Sequence, residues 1–168
     1  MNQGVLAILR KGELYAAGVF TEDGLYASAL PRNSIDDAIR SVNGQGLPRD
    51  ESPDNLRVLE AVFAVWEGKD YPGLDKIKLD FSGMTVKQRK VAQTARKIRK
   101  GTTISYGQLA EKAGLPNAAR FVGNVMASNR HSPFVPCHRV VASNGLGGFG
   151  GGLSLKAQIL KREGAFAD

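Results

Sequence analysis

Cysteine occurs once in these 168 residues and histidine twice. A single thiol excludes an internal disulfide, and Cys137 with only His131 and His138 cannot assemble a zinc site of the usual Cys and His type. No apolar stretch approaches the roughly 20 residues that a membrane-spanning helix needs. The segment from Met1 to Arg10 lacks the basic, apolar, small-residue order of a secretory signal. These absences predict a cytoplasmic protein with no metal, no cofactor and no membrane partner.

Acid is also scarce, but only in one half. Residues 1–85 hold 9 Lys or Arg against 13 Asp or Glu, a balance of −4, whereas residues 86–168 hold 14 against 3, a balance of +11. A field of that sign draws polyanions, of which nucleic acid is the commonest; an anionic membrane surface or plain solubility would fit the charge equally.

What is present divides into two small domains, 1–82 and 83–168, with Ser82-Gly83 as the hinge. Gly4 to Ala29 alternates small apolar and polar residues around Gly12 and Asp23-Gly24, the pattern of a short antiparallel meander. A helix is expected over Ser34 to Val42, and another over Asn55 to Glu67, where Leu56, Leu59, Val62, Phe63 and Trp66 recur at helical spacing. Ile77 to Phe81 reads as a strand. In the basic half Thr85 caps a helix expected to reach Lys100, Ser105 opens one through Ala113, Asn117 caps one over Ala118 to Ala127, and the last spans Ser154 to Arg162. The predicted fold class is α+β: a sheet-and-helix domain followed by a mostly helical one.

Two short helices separated by a glycine turn are the outline of a helix-turn-helix. In the second of them Ala118, Ala119 and Gly123 leave a face almost free of side-chain bulk, and Arg120 is the one long side chain there. Such a face can approach nucleic acid closely; tight packing against another helix would use the same small residues.

The chemistry concentrates in Asn129 to Val141, N-R-H-S-P-F-V-P-C-H-R-V-V. A thiolate is a far stronger nucleophile than a thiol, and nearby cations or a base favour it. His138 and Arg139 supply both beside Cys137. Adjacent side chains diverge, so a water can relay the proton to His138. Glu163, one of the few acids in this half, is a candidate to orient the imidazole, or else a solvated helix end. Ser143 to Leu153 is too glycine-rich for regular structure and suits close backbone approach to a flat ligand; it lacks the Lys-Ser/Thr ending of a phosphate-binding loop.

Pro136-Cys137-His138-Arg139-Val140, with Ile104-Ser105-Tyr106 and Ala118-Ala119-Arg120 upstream, resembles the O6-alkylguanine-DNA alkyltransferases over roughly residues 85–164. The resemblance implies an amino-terminal domain similar to the ribonuclease H fold and a carboxyl-terminal domain that binds DNA and accepts an alkyl group irreversibly. It implies Cys137 as acceptor, His138 as its base through water, Glu163 as the partner of His138, and Asn129 as a brace for the cysteine turn. Tyr106 would press on the phosphate and assist the departing guanine, and Arg120 would fill the stack from the minor groove. Gly107 and Ser143 fall near the DNA backbone, and Ala118, Ala119 and Gly123 face the groove. The carbonyls of Cys137 and Val140 and the amide of Gly150 would read the guanine edge, with Phe149 flanking the alkyl pocket. The implied partner is double-stranded DNA containing O6-alkylguanine, met by a monomer with no obligatory protein partner.

Phe149 stands where the family pattern has a tyrosine, and the glycine loop is one residue shorter than in vertebrate members, which bears on pocket size. The structural zinc of some members has no ligands here. Alternatives to the repair reading are an alkylguanine-binding protein without chemistry, whose known examples lack the cysteine, a Cys-His-Glu hydrolase, and a plain helix-turn-helix regulator.

Overall fold

A computed structural model of the chain describes residues 3–165. They form a mixed α+β protein of two units. The first comprises residues 3–82 together with Arg130–Phe134; the second comprises Gly83–Asn129 and residues 135–165.

The first unit is built on three antiparallel strands in sequence order, β1 (Val5–Lys11), β2 (Leu14–Thr21) and β3 (Gly24–Ser28). Gly12, at φ 61°, makes the first turn in a conformation that disfavours a side chain. Period-two alternation gives β2 two apolar faces. Ala17 and Val19 join Leu6, Ile8 and Ala38 in one cluster, which brings helix α1 (Ile35–Ser41) onto that side. The opposite face meets helix α2 (Pro53–Trp66) closely, since a Cβ on Gly18 would lie 3.2 Å from Leu59 Cδ2. Ser34 caps α1 and Ser52 caps α2, each accepting from a backbone amide of the first turn.

The strand expected over Ile77 to Phe81 does not form. The segment makes a single bridge, Leu79 with Leu25, flanked by the bonds Leu25 N to Lys78 O and Asp80 N to Leu25 O. Asp80 then leaves the ladder: its carboxylate accepts from Thr21 Oγ1 at 2.6 Å and from the Ser82 amide at 2.8 Å. Burial pushes the Asp80 carboxyl up, but these bonds and Arg130 outweigh it and hold the group below its ordinary value.

Arg130–Phe134 completes this unit. Ser28 pairs with His131, whose ring is fully buried, donates from Nε2 to the Leu25 carbonyl at 3.0 Å and stands edge-on to Phe81. Arg130 lies over the Tyr26 ring and donates to the carbonyls of Tyr26, Asp80 and Ser82. Burial, with the Arg130 charge, lowers the His131 pKa to about 4 from 6.5. Between those values the unfolded chain binds a proton that the folded chain refuses, so stability falls as pH falls through that window. The difference is about 3 kcal/mol at its lower end. Urea unfolding between neutral pH and pH 4 is expected to show that slope and to show a shallower one in His131→Asn; equal slopes would contradict the burial of a neutral ring.

In the second unit α3 (Val86–Ala95) opens on a full capping box between Thr85 and Gln88. It stops at Ala95, short of the expected Lys100. Thr94 Oγ1 bonds back to the Lys90 carbonyl, and the like charges of Arg96, Lys97, Arg99 and Lys100 disfavour another helical turn. The chain continues in tight turns that leave the Ile98 carbonyl to accept from Arg139 Nη1 at 2.8 Å.

A two-residue strand β4 (Ile104–Ser105) leads into α4 (Tyr106–Lys112), again with a capping box, Ser105 with Gln108. Helix α5 (Ala119–Ala127) follows. Asn117 does not cap it: Asn117 takes φ 63° in the connecting turn, and Ala118 is the cap residue, with no side-chain bond. Strand β5 (Val140–Val141) pairs in parallel with β4, Ile104 opposite Val140 and Ser105 opposite Val141, and α6 (Leu153–Arg162) ends the described chain. No described helix is long and apolar enough to cross a membrane.

Candidate active site

Cys137 opens a short 3-10 turn, Cys137–Arg139, immediately before β5. Pro136 fixes the approach, the Cys137 amide donates to the Val135 carbonyl at 2.8 Å, and Val140 closes the turn by donating to the Cys137 carbonyl. Asn129 Nδ2 donates to the same Val135 carbonyl at 2.8 Å. The cysteine is thus held by bonds on both sides of it and remains half-buried.

The next two side chains turn inward. His138 and Arg139 are buried, and both reach Glu163, the residue that ends α6. His138 Nε2 lies 2.9 Å from Glu163 Oε1, Arg139 Nε donates to Oε1 and Arg139 Nη2 to Oε2. Burial would push the Glu163 carboxyl up, but the bonds from His138 and Arg139 prevail and hold it at about 2. Glu163 is therefore not a solvated helix end but an ionised, buried hydrogen-bond acceptor.

That charge decides the histidine. A carboxylate only accepts, so Nε2 carries the hydrogen and Nδ1 of the neutral ring bears the lone pair. Burial, aided by the Arg139 and Lys156 charges, lowers the His138 pKa against the opposing pull of Glu163, which favours the neutral ring. Nδ1 has no hydrogen-bond partner among the described residues. The arrangement can supply a nucleophile, a neutral base beside it in the chain, and a fixed orienting carboxylate.

A second group gathers around β5. Because β4 pairs with β5 and runs directly into α4, Tyr106 is placed at the head of that helix beside the segment that follows Cys137. Gly147, at φ 73°, packs on it so closely that a Cβ there would lie 2.8 Å from Tyr106 Oη. Gly123 of α5 approaches the other edge of the ring, 4.0 Å from Tyr106 Cδ1 by the same measure. Lys156 Nζ lies 6.0 Å from the ring centroids of both Tyr106 and Phe149.

The remaining expected residues are at the surface. Gly107, Ala119, Arg120, Ser143 and Gly150 are exposed, and Ala118 is half-buried. Two further residues matter here: Arg139, expected to act beside Cys137 and found on Glu163 instead, and Lys156, which the sequence did not single out. Arg139 shares Glu163 with the histidine, and Lys156 is fully buried, donating to the carbonyls of Val140 at 2.7 Å and Gly148 at 2.9 Å. The signal for Lys156 existed: it stands on the apolar stripe of α6, three and four residues before the buried Ile159 and Leu160.

Residues 86–165 match the family described as 6-O-methylguanine DNA methyltransferase, DNA binding domain. A methylated-DNA--protein-cysteine methyltransferase of Shigella flexneri is 48% identical over 84 residues, which are 49% of this chain and 49% of that protein. The chain spans about half the length of the first curated relatives it matches. In solved structures the likeness extends further. The O6-methylguanine methyltransferase of Mycobacterium tuberculosis superposes with a TM-score of 0.74 at 25% identity, covering 99% of this chain and 96% of the other. A complex of the M. tuberculosis protein with DNA gives 0.71 at 26% identity, over 95% and 92%. The fold of these methyltransferases therefore extends through both units, while the strong sequence match lies in residues 86–165.

Proposed function

We propose that this protein repairs DNA by moving the alkyl group from O6 of guanine in double-stranded DNA onto Cys137, once per molecule. The observation that carries the reading is the Cys137 turn with His138 and Glu163 behind it, inside a segment whose relatives are named for cysteine methyl transfer. His138 Nδ1 takes the thiol proton through a water, the sulfur attacks the alkyl carbon, and the carbon–oxygen bond to guanine breaks. Tyr106 returns a proton to the departing base. The product is a thioether with no hydrolytic exit, so the protein is consumed.

An O6 substituent inside a duplex is reached only if the nucleotide leaves the stack, at a cost of a few kcal/mol. In this reading residues 83–168 are the DNA-binding and transfer domain, and residues 1–82 an amino-terminal domain of ribonuclease H-like type. Helices α4 and α5 are a helix-turn-helix whose small residues, Ala118, Ala119 and Gly123, enter the minor groove, where little sequence is read. Exposed Arg120, near the start of α5, fills the gap left by the base. Gly107 and Ser143 lie along the phosphates; the carbonyls of Cys137 and Val140 and the amide of Gly150 bind the guanine edge, and Phe149 stacks beside the alkyl group. The protein acts as a monomer in the compartment that holds the DNA.

Incubation with a duplex containing O6-methylguanine is expected to add one methyl group to the peptide carrying Cys137, read by mass spectrometry. Methanol released from an unmodified protein would instead establish a hydrolase. Arg120→Ala is expected to slow repair of duplex DNA by about tenfold, equivalent to roughly 1.4 kcal/mol, and to leave reaction with free benzylated guanine unchanged. Equal losses on the two substrates would remove the arginine from the stack.

A further inference from the structure

The buried charge that the scheme above leaves without a task is Lys156. Its side chain is fully buried, and two of the three hydrogens of its ammonium are committed to the carbonyls of Val140 and Gly148. Among the described residues no carboxylate pairs with it. Glu163, the buried acid of this unit, is already shared by His138 and Arg139. A buried ammonium whose bonds all go to neutral carbonyls is costly unless an anion stands near it.

The charged and titratable groups around it come from three elements. Tyr106 faces it from the head of α4, Cys137, His138 and Arg139 belong to the 3-10 turn that Val140 closes, and Glu163 ends its own helix. His138 is held neutral and Glu163 is matched by Arg139. The readiest source of a new negative charge is the thiol, since an ordinary cysteine ionises well before an ordinary tyrosine.

We propose that Lys156 is a positioning residue for transfer: its ammonium pins the Val140 carbonyl one turn beyond Cys137 and serves as the standing counter-charge of the ionised sulfur. The inference rests on Cys137 being the nucleophile and adds what keeps that nucleophile ionised. Burial pushes the Lys156 ammonium below its ordinary value, and Cys137 pulls it back up. Such coupling is reciprocal, so in this proposal Lys156 favours the thiolate in turn. Pinning Val140 and Gly148 together also ties β5 and the middle of the glycine loop to α6, with the carbonyl of Val140 held in place for the guanine edge.

The test uses the full chain without DNA. The rate of Cys137 alkylation by iodoacetamide is followed against pH in the wild type, Lys156→Met and Lys156→Arg. The methionine variant is expected to react about tenfold more slowly near neutral pH, the equivalent of one unit in thiol pKa, and to approach the wild-type rate in alkali. The arginine variant, which keeps the charge, is expected to recover most of the loss. Superimposable profiles for wild type and Lys156→Met would overturn the proposal. Should Lys156→Met fail to fold, the reciprocal measurement decides. In Cys137→Ser protein, with carbon-13 in the lysine side chains, Lys156 is expected to titrate at lower pH than in the wild type, and an unchanged titration would overturn it equally. A shifted thiol profile in a protein that takes no methyl group from DNA would refute the repair reading and leave this coupling intact.

Discussion

Glu163→Ala is expected to lower stability by about 3–5 kcal/mol, because it strands the Arg139 guanidinium in the interior with only the Ile98 carbonyl as partner. Urea unfolding near neutral pH measures this, and a loss below about 1 kcal/mol would mean that Arg139 finds another partner. The chemical effect should be larger still. Without the carboxylate nothing fixes the hydrogen on His138 Nε2, so the lone pair is no longer held at Nδ1, and transfer of a methyl group to Cys137 is expected to become undetectable. Glu163→Gln separates the two effects. The amide can still accept from His138 and Arg139, which restores part of the stability, but it carries no charge and does not enforce the tautomer. A Glu163→Gln protein that repairs DNA at the wild-type rate would show that orientation alone suffices. The sign with pH follows from the same group: its pKa of about 2 lies below the usual 4.5, so its stabilising contribution is complete above 4.5 and is lost as pH falls toward 2.

The second large effect is expected at Gly147. Its φ of 73° disfavours any side chain by about 1–2 kcal/mol, and a Cβ would lie 2.8 Å from Tyr106 Oη, 2.9 Å from Tyr106 Cε2 and 3.1 Å from the Ala142 amide. Two of these neighbours belong to a ring held at the head of α4, so relief comes by moving the tyrosine or the loop. Gly147→Val is expected to reduce methyl transfer by at least about tenfold, the rate equivalent of roughly 1.4 kcal/mol, while thermal unfolding shifts by only a few degrees. Gly145→Ala provides the comparison, since a Cβ there meets nothing within 4 Å and its φ is not positive. Similar activity in both variants would show that the Tyr106 position does not govern the reaction.

Local chemistry was legible in the sequence wherever one residue type has one structural use. Gly12 and Asp23-Gly24 announced the hairpins, Ser34, Thr85 and Ser105 announced helix starts, and the proline and cations around Cys137 announced its bend. What the sequence concealed depended on partners distant along the chain. Periodicity carried α3 on to Lys100, but the Ile98 carbonyl is claimed by Arg139, 41 residues away. Ile77 to Phe81 has strand composition, yet Asp80 is bound by Thr21 before a ladder can extend. Asn117 is a cap residue by type and a left-handed turn residue in fact, because asparagine tolerates both uses. For Glu163 the residue type alone left open an orienting partner or a helix end facing water, and three bonds from two residues decide it; Lys156 drew no reading although its place on the apolar stripe was in plain view.

Helix α6 carries both Lys156 and Glu163, and the chain reaches Cys137 before either. A ribosome reading this message therefore exposes the cysteine first and the two side chains proposed to activate it afterwards. Until α6 has been made and has docked, the nascent polypeptide holds an ordinary thiol, so that under the proposed scheme the one irreversible reaction is reserved for the finished fold.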